Sequence, residues 1–353
     1  MVEGNKKIIT AKITALSPLH PGTGRTEGTF HPCYDYIPAR VLRGCIGNYL
    51  FNHERKLFNE LRINKCAGET NIFFKSAFPE NKVAMPRILK WCKGCNKLFL
   101  ENDKECGNER CLQEGSSRSG FITLEELQNK QINIEDKDTN KKSIITKCPI
   151  IRETHTSPPE KGGLSPYSIE AINKGARFDF WCVVKGDFDL QDHLENAGLF
   201  YGVGGFTSRG YGTVLFESNE YTKEEYKKEL IEKFNKEECN ETLMVLNSPA
   251  IFEGDDENYI VGFDKNKWGN GKSAISETLA RGWEVNCDKK DKESISHITK
   301  LIPSTAQGSC IEVDKTIEEQ VNMMIEGIGK DRHIYGDVYF IPQKIYKENG
   351  IYK

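Results

Sequence analysis

Apolar and polar positions alternate along the chain in two rhythms. Residues 7–18 are rich in β-branched side chains and alternate in part, which predicts a first strand. From Ala39 to Leu50 the apolar spacing becomes helical, and Pro38 stands where a proline fits a helix start. Gly44 and Gly47 interrupt that helix and suit it only where a neighbouring backbone packs close. Further along, the pattern predicts a strand over 176–184, a short helix over 189–198, a strand from Thr213, and a Lys/Glu-rich helix within 221–240. The last third predicts a strand over 241–249, a helix near 273–280, strands around 282–287 and 309–313, and a helix over 317–325. Residues 61–147 sustain neither rhythm and read as an insertion.

Two glycine-rich segments punctuate this pattern. The first, over 202–212, reads Gly-Val-Gly-Gly-Phe-Thr-Ser-Arg-Gly-Tyr-Gly; the second occupies 327–336. Each is followed by an aromatic-bearing strand, and each half of the chain opens with a strand ending near Ser-Pro (Ser17-Pro18 and Ser248-Pro249). This is the mark of an internal duplication. The expected fold class is α+β, with two ferredoxin-like domains. Residues 1–220 form the first and carry the insertion at 61–147, 221–240 link the halves, and 241–353 form the second.

Composition narrows the function. The chain has 353 residues, enough for two domains each with its own core. Hydrophobic residues at 37% and charged residues at 29% describe an ordinary globular protein. No run approaches the ~20 apolar residues of a membrane span, and the polar N-terminus carries no signal peptide, so a cytoplasmic location is expected. A net charge of −3 argues against coating a polyanion by bulk electrostatics, so any nucleic-acid site must be a local patch.

Glycines at the density of 202–212 let backbone N–H groups converge on an anion, and Ser208 and Arg209 add donors. A plain tight hairpin is the alternative. A dinucleotide site is excluded, because Thr207 stands where the third glycine of its fingerprint belongs. Gly271-Lys272-Ser273 ends like a phosphate loop, but Asn266 replaces the first glycine. Cys92-x-x-Cys95 and Cys106-x4-Cys111 have the spacing of a closed four-thiolate zinc site, structural rather than catalytic, with Cys66 as a substitute ligand. The other eight of the twelve cysteines are scattered and fit small buried hydrophobes of a reducing compartment. His20 and His155 lie in loops and suit contacts to a ligand or, less simply, a general base. Asp35 is the acidic candidate for holding a catalytic metal. The segment 152–164 is either an exposed loop or a hairpin touching a polynucleotide through Arg152, His155 and Thr156. Tyr34, Tyr36, Phe206 and Tyr211 are stacking candidates and equally credible core aromatics.

Taken together, three motifs resemble those of the CRISPR-associated RAMP proteins. They are Leu16-Ser17-Pro18-Leu19-His20-Pro21-Gly22-Thr23-Gly24-Arg25, Tyr34-Asp35-Tyr36-Ile37-Pro38-Ala39-Arg40-Val41-Leu42-Arg43-Gly44, and the glycine loop from Gly204 to Gly212. Ala39-Arg40 replaces the Gly-Ser of the second motif. The duplicated second half, with Arg281-Gly282-Trp283 and Gln307-Gly308-Ser309, looks like the two-domain Cas-five group; the stretch 164–172 is similar to its type III-D form. The resemblance implies a non-catalytic subunit of a type III effector that grips the 5′ tag of the guide RNA. It would contact the large polymerase-like subunit and the first RAMP backbone subunit. The implied RNA contacts are His20, Arg43, Arg152, His155, Gly204, Gly205, Phe206, Thr207, Ser208, Arg209 and Gly210. Two enzyme readings stay open: a metal-independent endoribonuclease using His20 or His155, and a target-slicing subunit using Asp35.

Overall fold

The computed structural model describes residues 6–64, 70–100, 106, 111, 120–133, 141–148, 166–236, 238–254, 258–269, 271–281, 301–330, 335–343 and 345. The segment 152–164 with Arg152 and His155, the strand expected over 282–287, His333 and Cys66 lie outside these residues.

The first strand, β1 (Lys6–Ala15), is central and buried on both faces: Ile9, Ala11, Ile13 and Ala15 enter one core, Ile8 the other. After the short β2 (Phe30–His31), α1 (Ala39–His53) lays Leu42, Cys45, Ile46, Tyr49 and Leu50 into the first core. Its Gly47 sits where a Cβ would come within 3.3 Å of the Ile63 side chain. Then follow α2 (Arg55–Glu60), β3 (Ile72–Phe74) and β4 (Phe78–Pro79). Both strands pair with the strand Arg177–Lys185, so residues 72–79 of the segment expected as an insertion belong to the first sheet.

The rest of that segment forms small hairpins. β5 (Lys82–Ala84), β6 (Leu89–Trp91), β7 (Leu98–Leu100) and β8 (Phe121–Thr123) pair as β5–β8 and β6–β7. A short helix, α3 (Leu124–Asn129), starts at a Thr123/Glu126 capping box. β9 (Lys142–Lys147) is antiparallel to β10 (Tyr167–Ile172), whose other edge takes β2 in parallel. β11 (Arg177–Lys185), α4 (Gln191–Phe200), β12 (Val214–Thr222) and α5 (Lys223–Phe234) complete the first half. Gly198 lets α4 press onto β12, because a Cβ there would lie 2.7 Å from the Val214 carbonyl oxygen.

The second half runs β13 (Glu241–Leu246), β14 (Phe252–Glu253), β15 (Tyr259–Ile260), α6 (Lys265–Trp268), β16 (Ser273–Ala274) and β17 (Glu277–Arg281). It continues with β18 (Leu301–Thr305), β19 (Cys310–Asp314), α7 (Ile317–Glu326) and β20 (Val338–Pro342). The helix expected near 273–280 is instead two strands. Burial there alternates residue by residue, and Glu277–Arg281 pairs with Leu301–Thr305. Alanines and leucines with no caps left helix and strand open at this point, and long-range pairing decided.

The expected α+β class holds: helices pack on sheets whose pairs are antiparallel except for β2–β10. The first sheet is ordered β12-β1-β11-β3 and the second β16-β19-β13-β20. Counting the four strands of each half in chain order, both sheets read fourth-first-third-second.

The two halves also repeat the same backbone clasp. Gly212 N donates to Pro18 O at 2.9 Å, and Gly336 N donates to Pro249 O at 2.9 Å. Val203 N reaches Gly212 O at 2.7 Å, as Ile328 N reaches Gly336 O at 2.9 Å. Gly205 N reaches His20 O at 2.9 Å, as Lys330 N reaches Ile251 O at 2.8 Å. Even the serine recurs: Thr213 N donates to Ser17 Oγ at 2.9 Å and Asp337 N to Ser248 Oγ at 3.0 Å.

The halves are joined by buried polar contacts. Lys75 Nζ and the Asp337 carboxylate lie 3.5 Å apart, with side chains 0% and 1% exposed. Ser76 N also donates to Asp337 at 3.3 Å, Ala84 N to Asn247 Oδ1 at 2.6 Å, and Tyr339 Oη to Ala84 O at 2.5 Å. Tyr226 and Leu230 of α5 share one core with β13, β19 and β20, together with Ile8 and Val183 from the far face of the first sheet.

Candidate functional site

The glycines of the first loop answer first to the chain itself. Gly204 has φ +97°, and a Cβ there would lie 2.5 Å from His20 O. Gly202 and Gly212, also at positive φ, face each other's backbone or that of Val203. Gly205 lies against the His20 ring. Glycine at this density allows close backbone approach, and the segment approached is residues 18–21. At Gly210 the φ is +84° and nothing lies within 4 Å of a Cβ, so there only conformation demands glycine.

This clasp presents an exposed turn. Thr207–Arg209 form one 3-10 turn between Phe206 and Gly210, both left-handed, and residues 207–210 are exposed. Among the described residues, the N–H groups of Phe206, Thr207 and Ser208 make no hydrogen bond. Arg209 donates to the Tyr167 hydroxyl, and its guanidinium lies 5.7 Å from the Tyr167 ring centroid and 5.5 Å from that of Phe206. His31 stands edge-on to both rings at 5.8 Å. An arginine laid over two aromatic rings offers a positive charge and a planar stacking surface together.

His20 supports this surface from below. It is 6% exposed, its ring lies 5.0 Å from that of Phe206, and its Nδ1 donates to Glu170 O at 2.7 Å. Burial pulls its pKa below the usual histidine range, against the pull of that hydrogen bond, so the imidazole is neutral. Tyr211 is buried beneath the same loop, and its hydroxyl has no partner among the described residues.

The second motif meets the first through Tyr34 N, which donates to Pro21 O at 3.0 Å. Asp35 is ion-paired with Lys142 at 2.5 Å, and Lys142 also reaches Glu170 Oε2 at 3.3 Å and Cys33 O at 2.8 Å. Arg43 donates from α1 to the carbonyl of Ile63. Tyr36 is buried and stacked on Phe78 at 5.6 Å, whereas Tyr34 is half-buried with Arg40 over its ring at 5.8 Å. Sequence reasoning missed Tyr167, His31, Lys142 and Glu170. Only the resemblance noted over 164–172 touched Tyr167 and Glu170.

The cysteine spacing does converge. Cys92, Cys95, Cys106 and Cys111 bring their sulfurs within 4.8 Å of one another, and those of Cys95 and Cys106 are 3.5 Å apart. Tetrahedral Zn–S bonds of about 2.3 Å place sulfurs about 3.8 Å apart, so the donor set fits a four-thiolate metal site. A left-handed Asn96 whose N–H returns to Cys92 O at 2.8 Å turns the first pair inward. The Cys92 thiol pKa is lowered to about 7: burial works to raise it, and hydrogen bonds from the Cys95 and Gly94 N–H groups and from the Cys95 and Cys106 thiols together outweigh that.

A sequence model of the RAMP superfamily matches residues 12–215. Among solved structures, a chain of the type III-B Cmr-beta complex bound to cognate target RNA is similar at 15% identity and TM-score 0.35, covering 62% of this chain and 61% of that one. A chain of the same complex in the apo state is similar at 13% identity and TM-score 0.34, covering 60% of this chain and 96% of that one. A third, from the complex bound to target RNA and AMPPnP, is similar at 14% identity and TM-score 0.41, covering 87% and 86%. This chain thus spans less than two thirds of the first of these. No curated protein matches the sequence. Among the described residues, no helix is long and apolar enough to cross a membrane.

Proposed function

Because this chain belongs to the RAMP superfamily, we propose that it is an RNA-binding subunit of a type III CRISPR effector, acting by recognition without chemistry. The observation that carries the proposal is the turn 207–210, with Arg209 laid over Tyr167 and Phe206 on a clasp that fixes it in place. Guide-RNA phosphate would meet Arg209, Ser208 and the N–H groups of residues 206–208, while bases stack beside them. The 5′ tag is the proposed ligand; the large polymerase-like subunit and the first backbone subunit are the proposed neighbours, in the Cas-five position of a type III-D-like assembly in the cytoplasm.

The matching strand orders and matching clasps support a duplicated ferredoxin-like unit. The four thiols support structural zinc. Recognition rather than cleavage is favoured because His20 is buried as scaffold and Asp35 is neutralised by Lys142. Arg209→Ala should weaken binding of tag RNA and reduce the salt dependence of binding by about one phosphate contact, leaving the melting temperature unchanged. Unchanged affinity and salt slope in filter binding would refute the assignment.

A further inference from the structure

A second cavity lies away from the glycine loop, at the seam where the two halves and the hairpin segment meet. It has a volume of about 190 Å³ and is lined by Tyr34, Tyr36, Met85, Arg87, Gln307 and Gly308 among others. That is below the ~300–1,000 Å³ of sites for drug-sized ligands, and suits one planar heterocycle. Its walls are fixed. Tyr36 is stacked on Phe78, Arg87 N donates to Gly308 O at 2.9 Å, and a Cβ on Gly308 would lie 2.5 Å from Met85 O.

The polar groups of this cavity are donors in surplus. Gln307 Nε2 is buried and has no partner among the described residues. A buried amide donor left unpaired costs about 1–3 kcal/mol unless a ligand or water satisfies it. Arg87 spends Nε on Gln307 O at 3.1 Å, and its two Nη groups make no further hydrogen bond among the described residues. The Tyr34 ring supplies an aromatic face, with Arg40 over it at 5.8 Å.

We propose that this seam cavity is a nucleobase pocket. A single unstacked base lies against Tyr34 and presents acceptor atoms to Gln307 Nε2 and Arg87. Guanine fits best, since its N7 and O6 form an adjacent acceptor pair that arginine reads. Tyr34, Tyr36 and Arg87 lie within the matched residues 12–215, and Gln307, which carries the unpaired donor, lies outside them. The base could arrive on an RNA strand or as a free nucleotide. The strand source rests on the RNA-binding reading above, and the free-nucleotide source does not.

The test titrates the full-length protein with guanosine monophosphate, and separately with short single-stranded RNAs that carry one guanosine or none. Wild type should prefer the guanosine-bearing ligands. Gln307→Leu should lose about tenfold of that preference, and Tyr34→Ala should weaken all bases, while Tyr34→Phe keeps stacking. A thermal melt on each variant separates loss of the pocket from loss of the fold. Binding of guanosine monophosphate alone identifies a free nucleotide as the occupant; dependence seen only with RNA identifies the strand. If folded Gln307→Leu and Tyr34→Ala bind both ligands as wild type does, the pocket assignment is overturned. In that outcome loss of RNA binding by Arg209→Ala would still leave the glycine-loop reading standing.

Discussion

Asp337 is 1% exposed and faces Lys75, which is fully buried, across 3.5 Å. The Asp337 carboxylate also accepts from Ser76 N, and its backbone N–H reaches Ser248 Oγ. Removing one partner of such a pair strands a charge in the interior, which costs about 3–5 kcal/mol. Asp337→Ala should therefore lower stability by about that amount in urea unfolding. Replacing both residues with apolar ones of similar size should recover most of the loss, and a double variant as unstable as the single one would refute the argument. Gly204 and Gly210 make a second contrast at this scale. Gly204→Ala meets both positive φ and a carbonyl at 2.5 Å, whereas Gly210→Ala meets positive φ alone. The second should cost about 1 kcal/mol and the first clearly more, read from urea midpoints.

At the scale of elements, most of the regular structure could be read from periodicity and caps. The strand at Lys6–Ala15, the helices at Ala39–His53 and Ile317–Glu326, and the loop-to-strand junctions lie where the apolar spacing put them. Thr-x-x-Glu at the starts of α3, α5 and α7 makes a capping box in each case. The parts that escaped depend on distant pairing. Strands of two or three residues, such as Ile72–Phe74, carry too little pattern to show which sheet they join. Residues Tyr167 and His31 reach the glycine loop only because β10 takes β2 along its edge, a parallel pairing between segments remote in sequence. The loop itself was legible as a place of close backbone approach; that the approach is to the chain's own residues 18–21 was not.

For the whole molecule, the cysteine cluster is a local staple on the hairpin segment. Its four sulfurs pack with Phe99 in a small core of their own, separate from the two larger cores. Chelation, or Cys92→Ser, should release one metal ion per chain and loosen the hairpin of Leu89–Trp91 and Leu98–Leu100, while RNA binding through Arg209 persists. Metal analysis alongside filter binding checks this, and parallel loss of RNA affinity would contradict the separation.

The repeated clasp sets an order of assembly. In the first half it joins His20 to Gly205, with the hairpin segment enclosed between them; in the second it joins Ile251 to Lys330 across fewer than half as many residues. Closing the longer loop costs about 0.6 kcal/mol more for a doubling of length. A ribosome must also have released Thr222 before the first sheet can receive the whole of its edge strand. The N-terminal half therefore waits, with the strand Lys6–Ala15 lacking both of its neighbours, until Arg177–Lys185 and then Val214–Thr222 have been made. The long stretch between the Ser-Pro turn and the glycine loop thus makes nascent β1 the segment with most need of protection from misplaced pairing.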